Sequence, residues 1–142
     1  MGKWYLDKNR NMDRSELKYF KNDLSEFDSP DQPGSGLKKM DMNFIKRLDQ
    51  ARSLSGIPFK INSGFRSTAY NDDLKARGFH TSPTSAHMKG LAADIATTDP
   101  RSRYKILRSL MDMGFTRFGI GERFIHVDCD QSKSQDVCWD YY

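Results

Sequence analysis

Three side chains of types that bind transition metals stand out in the sequence: His87, Asp94 and His126. The stretch SAHMKGLAADI places the first two seven positions apart, and the third lies further on, in RFIHVDCD. A zinc ion that carries out hydrolysis needs three protein ligands of the histidine or carboxylate type and an open fourth position for water. The three residues can supply that set, although an isolated histidine is more often a surface or hydrogen-bonded residue than a ligand.

Two predicted strands would bring the distant histidine to the other two residues. Residues 91–96, LAADIA, alternate between core-facing apolar residues and a second face, on which Asp94 lies between two alanines. The segments GFTRFGIG and RFIHVDCD predict a hairpin around a turn at Gly121 and Glu122. This hairpin places His126 on a strand that can pair with the first one.

Helical patterns flank these strands. Apolar spacing predicts a helix from about residue 40 to residue 54, with Asp41 as a cap and Gly56 as its end. A strand is predicted over residues 59–64, a helix over residues 67–78 that a serine caps, and a loop over residues 79–88 that carries His87. Pro100 opens another helix, which runs to about Met113 and whose predicted apolar stripe is Tyr104, Leu107, Leu110 and Met111.

These elements predict a single α+β domain over residues 1–142, in which a small, mainly antiparallel sheet carries the three residues and helices pack on its other side. Residues 1–36 form an N-terminal arm and loop in this interpretation, and residues from about 37 to 139 form the catalytic core. The tail is polar until its aromatic residues, for which two roles stay open, packing onto the domain or lining a site. They are Trp139, Tyr141 and Tyr142.

Composition limits the class of protein. With 142 residues and 37% hydrophobic content, the chain is long enough for one core. The net charge of +4 favours anionic partners, but Lys and Arg are spread along the chain, so we expect no nucleic acid partner. Neither a signal peptide nor a membrane-spanning segment is recognisable, and we expect a monomer made in the cytosol without membrane insertion.

Three motifs together resemble one family. SGFRSTAYN, SPTSAHMKGLAADI and GFTRFGIGERFIHVDCD, in this order and at these separations, are similar to the zinc D-Ala-D-Ala carboxypeptidases and L-alanyl-D-glutamate peptidases, the LAS-type peptidoglycan metallopeptidases, in their phage or prophage-like branch. The resemblance implies a Hedgehog/D-Ala-D-Ala peptidase-like α+β fold. It also implies one zinc ion per chain, bound by His87, Asp94 and His126.

Further roles follow from the same resemblance. The family has an arginine shortly after a Ser-Gly-aromatic step, here Arg66, which would bind a substrate carboxylate or carbonyl because a guanidinium donates two parallel hydrogen bonds. Ser85 matches a serine two positions before the first ligand. It would contact substrate or the surroundings of the metal, and a loop-capping role for its hydroxyl accounts for it equally well.

A hydrolase of this type also needs a base for the proton of the attacking water. Other branches carry a glutamate three positions before the last histidine or a histidine two before it, where this chain has Arg123 and Phe124. Two carboxylates remain on the strand face of His126. We predict Asp128 as the base, with Glu122 as the alternative.

The resemblance implies an enzyme that hydrolyses the stem peptides of bacterial peptidoglycan, as a D-Ala-D-Ala carboxypeptidase or as an endopeptidase that cuts L-Ala-D-Glu or a cross-link. Because no signal peptide is recognisable, we expect a phage-type endolysin, which reaches the cell wall after holin-type release or as a virion component. The alternative is a Hedgehog-like module that contains zinc and binds without hydrolysis.

Overall fold

The computed structural model of the protein describes residues 17–141, so residues 1–16 of the predicted arm, and Tyr142, lie outside the described residues. The helices are α1 (Ser35–Lys39), α2 (Met42–Ser55), α3 (Thr68–Ala76) and α4 (Pro100–Asp112), with short 3-10 turns at Ser25–Phe27 and Ala86–Lys89. The strands are β1 (Ile61–Ser63), β2 (Ala92–Ala96), β3 (Arg117–Ile120), β4 (Phe124–Asp128) and β5 (Val137–Asp140).

The strands of the described region form one sheet in the order β1-β2-β4-β3-β5. All neighbours are antiparallel except β3 and β5, which run parallel. The register places Asp94 opposite His126, His126 opposite Gly119, and Gly119 opposite Trp139. The predicted α+β class and mainly antiparallel sheet are therefore confirmed, as is the β3–β4 hairpin.

One face of the sheet is apolar and closes the core against α2 and α4. On β2 and β4, Ile95, Ile125 and Val127 have no exposed surface, and they share a cluster with residues of both helices. Strand alternation then turns the intervening residues of β2 and β4 to the other face. The polar residues of the predicted site occupy that second face.

Side-chain caps fix where the helices begin. The carboxylate of Asp41 accepts a hydrogen bond from the backbone N–H of Phe44 at 2.9 Å, and the hydroxyl of Ser67 accepts one from that of Tyr70 at 3.0 Å. Gly56 ends α2 in the left-handed conformation, with φ 68°. The predicted starts of α2 and α3, and the end of α2, are confirmed.

The predicted apolar stripe of α4 is wrong in two of its four members. Tyr104 is 62% exposed and Met111 is 53% exposed. The helix instead buries Ile106, Ser109 and Leu110, which lie three and four positions apart and form one face. Residue type alone gives the wrong stripe here, because the buried face contains the polar Ser109 and leaves the aromatic Tyr104 exposed.

Two parts of the chain join the domain more closely than their sequences indicate. Phe20, Leu24 and Phe27, in the segment predicted as an arm, are buried in the same core cluster. In the tail, Val137–Asp140 forms an edge strand where no strand was predicted.

Cys129 and Cys138 are both free thiols. No helix within residues 17–141 combines the length and apolarity needed to cross a membrane.

Candidate functional site

The three predicted ligands converge on the polar face of the sheet. Oδ1 of Asp94 lies 3.2 Å from Nε2 of His87 and 3.0 Å from Nδ1 of His126. The three candidate ligand atoms all lie within 4.8 Å of one another, and all three residues are buried. Ligands of a tetrahedral zinc ion, at bond lengths near 2.1 Å, are about 3.4 Å apart. The donor set and its spacing therefore fit zinc.

The loop that carries His87 is held by its own sequence. Ser85 caps the 3-10 turn Ala86–Lys89, and its hydroxyl accepts a hydrogen bond from the backbone N–H of His87 at 3.2 Å. Gly90 ends the turn in the left-handed conformation and packs against the backbone of Lys39 so closely that a Cβ atom there would overlap a carbonyl oxygen. The glycine thus lets the chain pass directly into β2.

Hydrogen bonds on the far side of each imidazole direct the other nitrogen toward Asp94. Nδ1–H of His87 donates to the carbonyl oxygen of Gly64 at 2.7 Å, which leaves the lone pair on Nε2. Nε2–H of His126 donates to Oδ2 of Asp128 at 2.7 Å, so the neutral ring has its lone pair on Nδ1, and the protonated ring donates from Nδ1 to Oδ1 of Asp94 at 3.0 Å. Both tautomers are those that a metal held between these residues needs.

Asp128, the predicted base, is the partner of His126 and is bonded through both of its oxygens. Its Oδ1 accepts hydrogen bonds from Nε of Arg117 at 2.7 Å and from the backbone N–H of Asp130 at 3.1 Å. Arg117 also donates to the carbonyl of Ser134 in the tail. Arg117 is not among the residues predicted from the sequence, although strand alternation and the register opposite Asp128 place it on the polar face.

Burial and charge pull the ionisation of this cluster in opposite directions. Burial is the main cause that lowers the pKa of His87 below its usual range. Burial also lowers the pKa of His126, but hydrogen bonds to Asp128 and Asp94 outweigh it, so this pKa is raised. Burial raises the pKa of Asp94, yet the neighbouring His87 and His126 lower it further, so Asp94 stays ionised at neutral pH.

Arg66 lies beside the cluster. Its Nη2 donates to Oδ2 of Asp94 at 3.1 Å, the carboxylate oxygen that faces away from the two histidines, and its Nε donates to Ser63 at 2.9 Å. A guanidinium has five N–H donors, so these two bonds leave donors for a substrate oxygen. Its side chain is 13% exposed, and it lines the same cavity as the three predicted ligands.

The site opens into a cavity of about 710 Å³. Ser85, Asp128 and His80 line it together with the ligand cluster, whereas Glu122 does not. Glu122 is exposed at the β3–β4 turn, where its backbone carbonyl accepts a hydrogen bond from Arg103 at 2.8 Å. The structure therefore brings together all the predicted site residues except Glu122.

The tail supplies part of the cavity wall. Trp139 and Tyr141 both line the cavity, so of the two roles left open by the sequence they take the second. The ring centroid of Trp139 lies 5.6 Å from that of His126, and the guanidinium carbon of Arg117 lies 5.1 Å from the centre of the Trp139 ring. This arrangement depends on the pairing of β5 with β3, which was not predicted from the sequence.

Comparisons with known proteins bear on the family and the fold. The model of the family described as peptidase M15 matches residues 14–130. Among solved structures, the fold is similar to the crystal structure of Serratia marcescens L-Ala D-Glu endopeptidase ChiX, with a TM-score of 0.54, 18% sequence identity, and coverage of 80% of this chain and 91% of that chain. At this identity the likeness concerns the fold. No curated protein sequence matches the chain.

Proposed function

The chain belongs to the peptidase M15 family, as its motifs predicted, and from this premise we propose that it is a zinc-dependent peptidase acting on the stem peptides of bacterial peptidoglycan. The observation that carries the proposal is the convergence of His87 Nε2, Asp94 Oδ1 and His126 Nδ1, with the second nitrogen of each histidine bonded elsewhere. Support for the substrate comes from the sequence motifs and from the endopeptidase whose fold is similar.

His87, Asp94 and His126 would hold the zinc ion. When bound, zinc supplies a Lewis acid for the scissile carbonyl and lowers the pKa of a coordinated water. Three protein ligands would leave a fourth coordination position for water, and the three residues line the cavity. The three residues lie on one loop and two strands, so metal binding would tie the loop to the sheet.

We assign substrate binding to Arg66. Its bonds to Asp94 and Ser63 fix the plane of the guanidinium at the cavity wall, next to the candidate metal position. A fixed guanidinium binds a peptide carbonyl or carboxylate with directed hydrogen bonds and stays charged throughout the reaction. Its bond to Asp94 also keeps the second oxygen of that carboxylate away from the histidines.

We assign the proton-accepting role to Asp128 in preference to Glu122. Asp94 and Asp128 are the carboxylates of the described residues that line the cavity, and Asp94 is assigned to the metal. Oδ2 of Asp128 accepts a bond from Nε2 of His126, on the side of that ring opposite the candidate metal position, so as a base it would exchange the proton through a further water of the cavity. The same carboxylate orients His126, so it acts on the ligand as well as on the proton.

Finer parts of the function stay predictions from the sequence. They include the bond cut, either terminal D-Ala-D-Ala, L-Ala-D-Glu or a cross-link, the phage-type endolysin role and the monomeric state. A substrate contact for Ser85 also stays a prediction, because its observed bond is the cap on the backbone of His87.

Digestion of purified peptidoglycan tests the proposal. Zinc-loaded wild type and His87→Ala are incubated with the same peptidoglycan, and soluble products are identified by mass. The matched control is His80→Ala, which removes a histidine of the cavity wall outside the ligand cluster. We expect new peptide ends with wild type and His80→Ala but not with His87→Ala. Identical product sets from wild type and His87→Ala would refute the enzymatic assignment, and zinc binding without any cleavage would favour the non-hydrolytic Hedgehog-like alternative.

A further inference from the structure

The tail adds an element that lies beyond the segment matched by the family model, which ends at residue 130. Its strand β5 pairs with β3 in parallel, and the backbone N–H of Tyr141 continues the pairing by donating to the carbonyl of Ile120 at 3.2 Å. Trp139 and Tyr141 are two positions apart, so strand alternation turns both to the polar face. Both line the cavity of the candidate site.

A glycine makes room for these two rings. Gly119 lies between His126 and Trp139 in the register of the sheet. A Cβ atom at this position would lie 2.6 Å from Nε1 of Trp139 and 2.7 Å from the hydroxyl oxygen of Tyr141. Its φ is not among the left-handed values, so the absence of a side chain serves packing here. Both rings therefore fold over β3 toward the ligand cluster.

The hydroxyl of Tyr141 is placed to donate into the cavity. Nε1 of the Trp139 indole and the hydroxyl oxygen of Tyr141 lie beside each other over Gly119, at 2.6 Å and 2.7 Å from the position that a Cβ atom there would take. The indole N–H can only donate, so toward Trp139 the hydroxyl can act only through its oxygen, and its own proton is available to another acceptor. Tyr141 lines the same cavity as Asp94 and Arg66, so it lies on the wall that a bound peptide would contact.

We propose that Tyr141 is a substrate-contacting residue that donates a hydrogen bond to a peptide oxygen, and that Trp139 is the positioning residue that holds it there. The inference rests on the proposed function, since the contacted ligand is the peptide substrate. Trp139 acts through its N–H on Tyr141, and its ring packs beside His126. Gly119 is the third component, because any side chain there would displace both rings.

The test uses zinc-loaded full-length protein and a synthetic peptidoglycan stem pentapeptide. We expect Tyr141→Phe, which removes one oxygen atom, to lower kcat/KM about tenfold, the typical effect of losing one directed hydrogen bond to a substrate oxygen. Zinc affinity should stay within about twofold of wild type, because Tyr141 is not a candidate ligand. The matched control is Tyr104→Phe, at an exposed tyrosine of α4 outside this cavity, which should leave kcat/KM unchanged.

Two further variants separate positioning from general structural damage. Trp139→Phe keeps an aromatic ring but removes the N–H, and the double variant with Tyr141→Phe should lose no more activity than Tyr141→Phe alone, because both changes remove one interaction. Gly119→Ala should lower kcat/KM at least as much as Tyr141→Phe by displacing both rings. The inference would be overturned if the fold-losses in kcat/KM of the two single variants multiplied in the double variant. It would also be overturned if Tyr141→Phe kept the kcat/KM of wild type.

Failure of the proposed function is distinguishable from failure of this inference. If zinc-loaded wild type cleaves no peptide, the proposed function fails, and the inference is read from binding instead. In a Trp4→Phe background the remaining tryptophan is Trp139, so its fluorescence reports titration with the same pentapeptide. Binding about tenfold weaker in Tyr141→Phe supports the contact, and equal binding rejects it.

Discussion

The two faces of strands β2 and β4 obey different physical rules although they share one backbone. Ile95, Ile125 and Val127 have no exposed surface and belong to the hydrophobic core cluster, so their contribution is burial of apolar area. Their neighbours Asp94 and His126 are nearly as buried but carry polar groups, which cost free energy in the interior unless each is bonded. The comparison indicates that one face stabilises the fold and the other is organised for chemistry.

On the polar face, a connected network of hydrogen bonds offsets the free-energy cost of burying polar groups. Arg117 donates to Asp128, Asp128 accepts from His126, and the two histidines meet at Asp94. Such a network is a poor source of stability, since apolar residues of the same volume often serve as well. Its arrangement is explained if a metal ion sits between the three candidate ligands. Changes on the two faces should then separate into different measurements.

The largest effect is expected from loss of a ligand on the polar face. His126→Ala should lower zinc affinity at least about a thousandfold, because it removes one of three protein ligands. Competition with a chelating dye measures the affinity, with His80→Ala as the control that keeps all three ligands. Zinc bound by His126→Ala as tightly as by wild type would place the metal elsewhere.

A change on the apolar face should act on stability instead. Ile125→Ala, next to His126, is expected to lower the free energy of unfolding of the metal-free protein by about 2–5 kcal/mol through lost burial and a cavity. The folded fraction should bind zinc within about twofold of wild type. Urea unfolding gives the free energy, and Leu54→Ala, at a residue that is 60% exposed, is the control expected to change it little. If Ile125→Ala weakened zinc binding of the folded protein a hundredfold, the division between the faces would be wrong.

Asp128→Asn should give an intermediate effect and sharpen the role of that residue. Loss of the carboxylate behind a histidine ligand typically costs 10- to 100-fold in metal affinity, so we expect about this loss of zinc affinity. At saturating zinc, kcat should also fall if Asp128 carries the proton. Glu122→Gln is the matched control, an exposed carboxylate outside the cavity, and should change neither value. Full turnover by zinc-loaded Asp128→Asn would remove Asp128 as the base.

The most gradual effect on zinc affinity is expected from pH. Burial lowers the pKa of His126, but the bonds to Asp128 and Asp94 raise it above the usual histidine value. A raised pKa means that, as pH falls, the proton reaches His126 earlier and competes with zinc. Zinc affinity should therefore fall about tenfold per pH unit below that pKa. Titrations between about pH 5 and pH 8 test this, and Asp128→Asn should shift the decline to lower pH. A pH-independent affinity over this range would contradict the assignment of His126 as a ligand.

Sequence reasoning succeeded where the determinants are local. Asp94 was placed between two alanines on the face away from the core because alternation is a property of a single strand. The caps at Asp41 and Ser67 likewise depend on bonds to residues three positions away. These local rules, together with the family motifs, were sufficient to predict the fold class and to bring the three candidate ligands together.

The features that were missed depend on contacts between distant segments. The pairing of β5 with β3 joins residues about twenty apart in the chain, and no pattern within the polar tail indicates it. The burial of Phe20 and Leu24 depends in the same way on a core built by later elements. The role of Arg117 and the need for a glycine at position 119 can be recognised only when their partners on the neighbouring strands are known.

Reconstitution of the metal-free protein tests most directly whether zinc at His87, Asp94 and His126 is needed for peptidase activity. Protein stripped with a chelator is titrated with zinc while release of peptides from peptidoglycan is followed. We predict no cleavage without metal, recovery that rises to a break at one zinc ion per chain, and no recovery for His87→Ala under the same conditions. Cleavage that persists in the stripped wild type, or that zinc restores equally in His87→Ala, would contradict the account.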